Sequence, residues 1–355
     1  MNNGNYRRNR KRYKVRYDRV FAAVLVLIVL IILITACTKG CSDDEQPAGS
    51  QNSVVDNLAG STPQSTDALG QVITDPNAAN QNAGGAPAAD PNAAAQTTDP
   101  NAAAQFTTQD VEFAQVNNGD LVLVNSLYAY KFQEGDTNIV PIYENRNEFY
   151  SVSDNITSLD LNTITAINSI MQAYAGATGN DYLRIYGGYR TAEEQTTKYN
   201  EAKSKFPGGY SDYHTGRTFD VQIVFPDGTS NAYSPTDTYA WFNENAASYG
   251  FIVRFPEGKD AVTGEEARAY TFRYVGIPHA VYMKQNNLCL EEYIEQIKAY
   301  NNTNPLRITS GTSQYEVYYV AANPNSVTGV PVPASKPYTI SGNNIDGFIV
   351  TVTAA

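Results

Sequence analysis

Ser211-Asp212-Tyr213-His214-Thr215-Gly216-Arg217-Thr218-Phe219-Asp220 and Arg268-Ala269-Tyr270-Thr271-Phe272-Arg273-Tyr274-Val275-Gly276 are the two stretches whose reading decides the fold. Each runs from polar residues into an alternating apolar pattern, so Phe219–Phe225 and Tyr270–Val275 read as strands. Upstream, Leu183–Tyr186 reads as a third strand that stops at the turn Gly187-Gly188. Thr191-Ala192-Glu193-Glu194 has the form of a capping box, which starts a helix running to about Lys203. Leu159, Leu161, Ile164, Ile167, Ile170, Met171 and Tyr174 fall at helical spacing. Tyr239–Tyr249, Pro278–Asn286 and Leu290–Tyr300 read as further helices, and Asp120–Asn125 as a further strand. The elements mix without a βαβ rhythm, which predicts an α+β domain over 110–304.

The flanks differ in composition. Residues 305–355 alternate again at Tyr315, Val317, Tyr319 and at Phe348, Val350, Val352, the pattern of a small antiparallel β module. A segment of about 50 residues is short for an independent core, so it is expected to pack on the main domain. Residues 37–109 are low in complexity, with Asp-Pro-Asn-Ala-Ala at 75–79, 90–94 and 99–103, and read as a disordered stalk. Residues 1–19 carry a formal +7 of the chain's total of −11, leaving −18 on residues 20–355. A short basic tip before an apolar run is a positive-inside signal, and the acidic remainder argues against a nucleic-acid partner. The run Val20–Ala36 has no charged residue and spans roughly 25 Å as a helix, the short end for a membrane crossing. Ile34-Thr35-Ala36-Cys37 also resembles a lipoprotein processing box, in which Cys37 is the lipidation site. Anchor and lipoprotein alike place the rest of the chain outside the cytoplasm, tethered to the cell membrane. The three cysteines, Cys37, Cys41 and Cys289, make no disulfide framework, and Cys289 reads as a small buried hydrophobe.

From Asp120 onward the chain resembles the VanY-like D-alanyl-D-alanine carboxypeptidases, relatives of the hedgehog-type zinc sites. Gly188-Tyr189-Arg190-Thr191 with Glu194 and Gln195 is similar to the family's G-Y-R-[ST]-x-x-E-Q. Ser211 to Asp220 is similar to its S-x-H-x-x-G-x-x-x-D. Trp241-Phe242, Tyr249-Gly250-Phe251 and Arg254-Phe255-Pro256 follow its W-L…Y-G-F…R-Y-P, and Phe272-Arg273-Tyr274-Val275-Gly276 closes its E-P-W-H-[FW]-R-Y-V-G. The resemblance implies a hedgehog/DD-peptidase-like domain with a central antiparallel sheet, and a zinc ion held by two His and one Asp with a Glu as general base.

Carried over by register, Asp220 fills the Asp position, but the two His positions hold Tyr213 and Thr271, and the base position holds Arg268. The chain's only histidines, His214 and His279, are the candidates for a rewired zinc site with Asp220. Against them, a one-residue shift on an extended segment turns a side chain to the opposite face, and His279 reads as a surface or capping residue at a helix start. A buried Asp220 needs a partner, for which Arg268 and the Tyr213 hydroxyl are the candidates. Glu265 and Glu266 are the nearest replacements for the base. Arg190, Gln195 and Ser211 are the residues the resemblance implies for substrate binding, whereas Arg273 and Tyr274 read as structural. The expectation is a pseudoenzyme without cofactor that binds peptidoglycan stem peptides. The alternatives are a divergent zinc carboxypeptidase or endopeptidase, and an envelope scaffold for a protein partner.

Overall fold

The computed structural model describes residues 106–132 and 138–354. The basic tip, the apolar run, Cys37, Cys41 and the stalk up to residue 105 lie outside the described residues. Among the described helices none is long and apolar enough to cross a membrane.

In chain order the strands are β1 (Phe106–Val111), β2 (Ile139–Pro141), β3 (Ser151–Val152), β4 (Ser158–Asp160), β5 (Leu183–Gly187), β6 (Thr218–Val224) and β7 (Ser230–Ala232). There follow β8 (Phe251–Phe255), β9 (Arg268–Tyr274), β10 (Leu306–Ser310), β11 (Ser313–Ala321), β12 (Thr328–Pro333), β13 (Tyr338–Gly342) and β14 (Gly347–Thr353). The central sheet has the order β3-β5-β6-β9-β8, with β7 also pairing β6. Its pairings are antiparallel except β3 with β5, which run parallel.

The helix Leu161–Thr178 lies against this sheet because Ile164, Ile167, Ile170, Met171 and Tyr174 form one apolar stripe, all fully buried. Each such side chain contributes roughly 1.5–3 kcal/mol on burial. Asp160 caps the helix by accepting from the Asn162 and Thr163 amides. Leu159 and Leu161, read as part of the stripe, fall outside it: Leu159 is in β4, and Leu161 is exposed. A second core joins the helices Ile277–Gln285 and Leu290–Ile297 to Leu306, Ile308, Val317 and Ile349 of the C-terminal sheet. The β module therefore packs on the main domain, as its size requires.

That module is a four-stranded antiparallel sheet, β10-β11-β14-β13, with a β1-β12 pair beside it. Its pair begins at Phe106, inside the segment read as stalk, because Phe106–Val111 finds an antiparallel partner in Thr328–Pro333 more than two hundred residues later. The Asp120–Asn125 segment is likewise not a strand. Leu121, Val122, Leu123 and Val124 are buried as an isolated strap whose polar backbone groups are met largely by side chains. Arg273 Nη2 donates to the Asp120 and Val122 carbonyls, Asn344 Nδ2 to Leu123, and Arg254 Nη2 to Val124, while the Leu121 amide donates to Ser341 Oγ.

Candidate active site

Asp220 sits on β6 with only 6% of its surface exposed. In the sheet register it lies between Gly187 of β5 and Thr271 of β9. The absence of a side chain on the Gly187 side is required, since a Cβ there would stand 2.6 Å from Asp220 Oδ2. On the other side the Thr271 hydroxyl donates to Oδ1 at 2.7 Å. Tyr213 reaches the same oxygen from a short 3-10 turn, Asp212–Thr215, which closes on Gly216 at φ +66°. Its hydroxyl donates to Oδ1 at 2.6 Å. Burial, together with the negative charge of Asp220, raises the Tyr213 pKa well above the ordinary phenol value, so the phenol stays a neutral donor.

The two hydroxyls thus stand at the positions that the sequence register assigns to histidines, and both bond the residue that would share a metal with them. Arg268 does not join them. Among the described residues no cation lies within ion-pair distance of Asp220. Arg268 Nη2 instead pairs with Glu265 Oε2 at 2.9 Å. The expected Asp–Arg–Tyr cluster is an Asp–Tyr–Thr cluster, because a second hydroxyl satisfies the carboxylate and Glu265 lies close by in the chain to take the guanidinium. Arg268 is neither fully buried nor free, its side chain being 26% exposed over the Phe255 ring. Glu265 is itself buried and held by Arg268, and Glu266 is an exposed partner of Lys205.

Neither histidine is placed to replace the missing pair. His214 is buried, with Nε2 accepting the Gly209 amide at 3.0 Å and Nδ1 bonded to the Arg190 carbonyl at 2.6 Å, so Nδ1 carries the proton. Both ring nitrogens are used on backbone, and burial lowers its pKa. His279, read as a surface or capping residue, is buried between the helix Ile277–Gln285 and β14 because the β module docks over it. It bonds the Tyr293 hydroxyl at 2.6 Å and Thr351 Oγ1 at 3.0 Å, and burial lowers its pKa to about 4.

Arg190 follows β5, with its guanidinium carbon 3.7 Å from the centre of the Tyr213 ring. Gln195, on the helix Ala192–Asn200, accepts from Arg190 Nη1 at 3.2 Å. Its amide also donates to the Phe206 carbonyl at 2.6 Å and to Ser204 Oγ at 2.8 Å. The Thr191–Glu194 capping box fixes that helix start, so Arg190 is aimed by local structure. Arg190, Ser211, Tyr213, Asp220 and Arg268 all line one cleft of about 220 Å3, walled by Tyr186 and Tyr270. Gln195, expected to meet substrate, lies behind Arg190 and holds it.

Under the cleft is a charge network that motif reading missed. Asp212 pairs with Arg273 Nη1 at 2.6 Å and Arg254 Nε at 3.2 Å, and Arg254 Nη2 pairs with Glu291 at 2.8 Å. Burial raises the Asp212 pKa, but Arg273 and Arg254 outweigh it and hold the carboxyl below its usual range. Arginines alternating with core residues on two strands were the available signal, since a buried guanidinium demands a carboxylate.

These residues do not fit a zinc ion. The one family ligand present accepts two hydroxyl hydrogens on one oxygen, and among the described residues no three His, Cys, Asp or Glu side chains converge.

A family profile described as VanY: D-alanyl-D-alanine carboxypeptidase matches residues 157–277. The D-alanyl-D-alanine carboxypeptidase of Enterococcus faecium is 34% identical over 246 residues, 67% of this chain and 76% of that protein. The chain belongs to the VanY D-alanyl-D-alanine carboxypeptidase family. A bifunctional D-Ala-D-Ala dipeptidase and carboxypeptidase of Enterococcus gallinarum, VanXYC, is 29% identical over 130 residues, 31% of this VanY-family chain and 65% of that protein. The crystal structure of the D,D-dipeptidase VanXYg with a D-Ala-D-Ala phosphinate analogue superposes with TM-score 0.62 at 27% identity, covering 70% of this chain and 99% of that one.

Proposed function

We propose that this VanY-family protein is a zinc-less pseudoenzyme that binds peptidoglycan stem peptides without cutting them, tethered to the outer face of the cell membrane by residues 20–36. The observation that carries the reading is the Asp220 carboxylate, whose Oδ1 accepts from Tyr213 and Thr271. Peptide hydrolysis needs a water made nucleophilic and a group to take its proton. The position of the base holds Arg268, and a guanidinium accepts no proton in a protein. Of the two nearby carboxylates, Glu265 is buried in an ion pair with Arg268 and Glu266 is exposed and paired with Lys205. Retention of Arg190, Ser211 and the cleft around them supports binding, as do the D-Ala-D-Ala phosphinate analogue in the VanXYg structure and the activities named for the enterococcal relatives.

The test is incubation of the purified full-length chain with a stem pentapeptide ending in D-Ala-D-Ala, following free D-Ala and heat of binding together. Binding with no D-Ala release is expected. Release of D-Ala would establish a divergent carboxypeptidase instead, and no binding of any stem peptide would favour an envelope protein as the partner.

A further inference from the structure

We propose that the cleft selects the free C-terminal carboxylate of an already trimmed stem peptide, held by the guanidinium groups of Arg190 and Arg268. This rests on the peptide-binding reading above and names which peptide. Arg190 uses one N–H on Gln195 and, among the described residues, makes no ion pair, so its other donors are available to a ligand. Arg268 commits Nη2 to Glu265, and Glu265 is not among the residues that line the cleft. The Tyr186 hydroxyl, on the cleft wall, lies within electrostatic reach of both guanidiniums and of Asp220. Two carboxylates line the cleft and would oppose a ligand carboxylate, Asp220 and Asp212. Asp220 has its Oδ1 capped by two hydroxyls while Oδ2 packs on Gly187. The fully buried Asp212 carboxylate is neutralised from behind by Arg273 and Arg254.

Size points the same way. A cavity of about 220 Å3 is below the roughly 300–1,000 Å3 of sites for drug-sized ligands. It therefore suits a chain end better than a chain passing through. Register supplies the last step. Arg268 replaces a carboxylate at the point where a hydrolase of this family would act on its bond, which reverses the charge there. A longer peptide places a neutral amide at that point. A trimmed one places the carboxylate that cleavage leaves behind, and a guanidinium fork pairs with it in charge-assisted hydrogen bonds. The cleft so built would report that the terminal residue has been removed.

The experiment is calorimetric titration of the full-length chain with three probes: a stem tetrapeptide with a free C-terminus, its C-terminal amide, and the pentapeptide ending in D-Ala-D-Ala. The tetrapeptide acid is expected to bind at least about tenfold tighter than the other two. Arg268→Gln should lower the affinity of the tetrapeptide acid to that of its amide, and Arg268→Lys, which keeps the charge, should retain part of the preference. Equal or tighter binding of the pentapeptide, or an equal loss for all three probes in Arg268→Gln, would overturn the proposal. Release of D-Ala would overturn only the non-hydrolytic reading, since the acid, the amide and the variants would still be ranked. Failure of every stem peptide to bind would overturn both.

Discussion

Removing the hydroxyls that hold Asp220 gives the sharpest energetic prediction. Tyr213→Phe deletes a donor 2.6 Å from Oδ1, and Thr271→Val deletes one at 2.7 Å with little change of shape. A hydrogen bond to a charged group contributes about 1.5–3 kcal/mol, so each single variant should lose about 2 kcal/mol. For a folded unit of this size that corresponds to a fall of roughly 4–8 °C in Tm. The double variant should lose more than the sum, because each single variant leaves one donor whereas the double leaves a carboxylate buried with neither hydroxyl and, among the described residues, no cation within ion-pair distance. Adding Asp220→Asn to the double variant should then recover stability by removing the charge. Urea denaturation of the four variants and the unsubstituted protein, at one pH and without added metal, provides the comparison. Additive single and double effects, or no recovery with Asp220→Asn, would refute the view that the hydroxyls exist to satisfy a buried carboxylate.

Three further outcomes follow from the geometry. Asp212→Asn leaves Arg273 and Arg254 short of their shared carboxylate and should cost about 3–5 kcal/mol in a denaturant titration, the range for breaking a buried pair. Gly187→Ala forces a Cβ against Asp220 Oδ2, which should destabilise by about 1–3 kcal/mol and weaken stem-peptide binding in calorimetry. His279 has its folded pKa lowered to about 4 by burial. The unfolded state therefore binds the extra proton first, and stability present above about pH 6.5 is lost as pH falls toward 4, by about 2 kcal/mol at pH 5. The difference in Tm between pH 8 and pH 5 should shrink in His279→Gln.

The elements that set the scaffold were legible because their signals are local. The Thr191–Glu194 capping box forms as written, and the strands around Leu183, Phe219 and Tyr270 lie within about two residues of their reading. What escaped depends on partners distant in the chain. The strap at Leu121–Val124 has the composition of a strand, but guanidinium and amide groups from Arg273, Arg254 and Asn344 take the place of a neighbouring strand. Residues 106–109 looked like stalk because the strand that covers them comes from the C-terminal module. Register brought Tyr213 and Thr271 to Asp220 but could not give the direction of a long side chain such as Arg268. Arg268 had Glu265 within reach, and the short Thr271 hydroxyl, opposite Asp220 in the ladder, had nowhere else to point.

The central claim, that a carboxylate clasped by two hydroxyls has replaced a metal centre, is tested most directly by zinc stoichiometry. The full-length chain would be purified with zinc present, dialysed against metal-free buffer, and measured for zinc content by mass spectrometry and for Tm with and without added zinc. Bound zinc far below one ion per chain and an unchanged Tm are predicted. One tightly held ion per chain, raising Tm as a ligand of the native state must, would contradict the account.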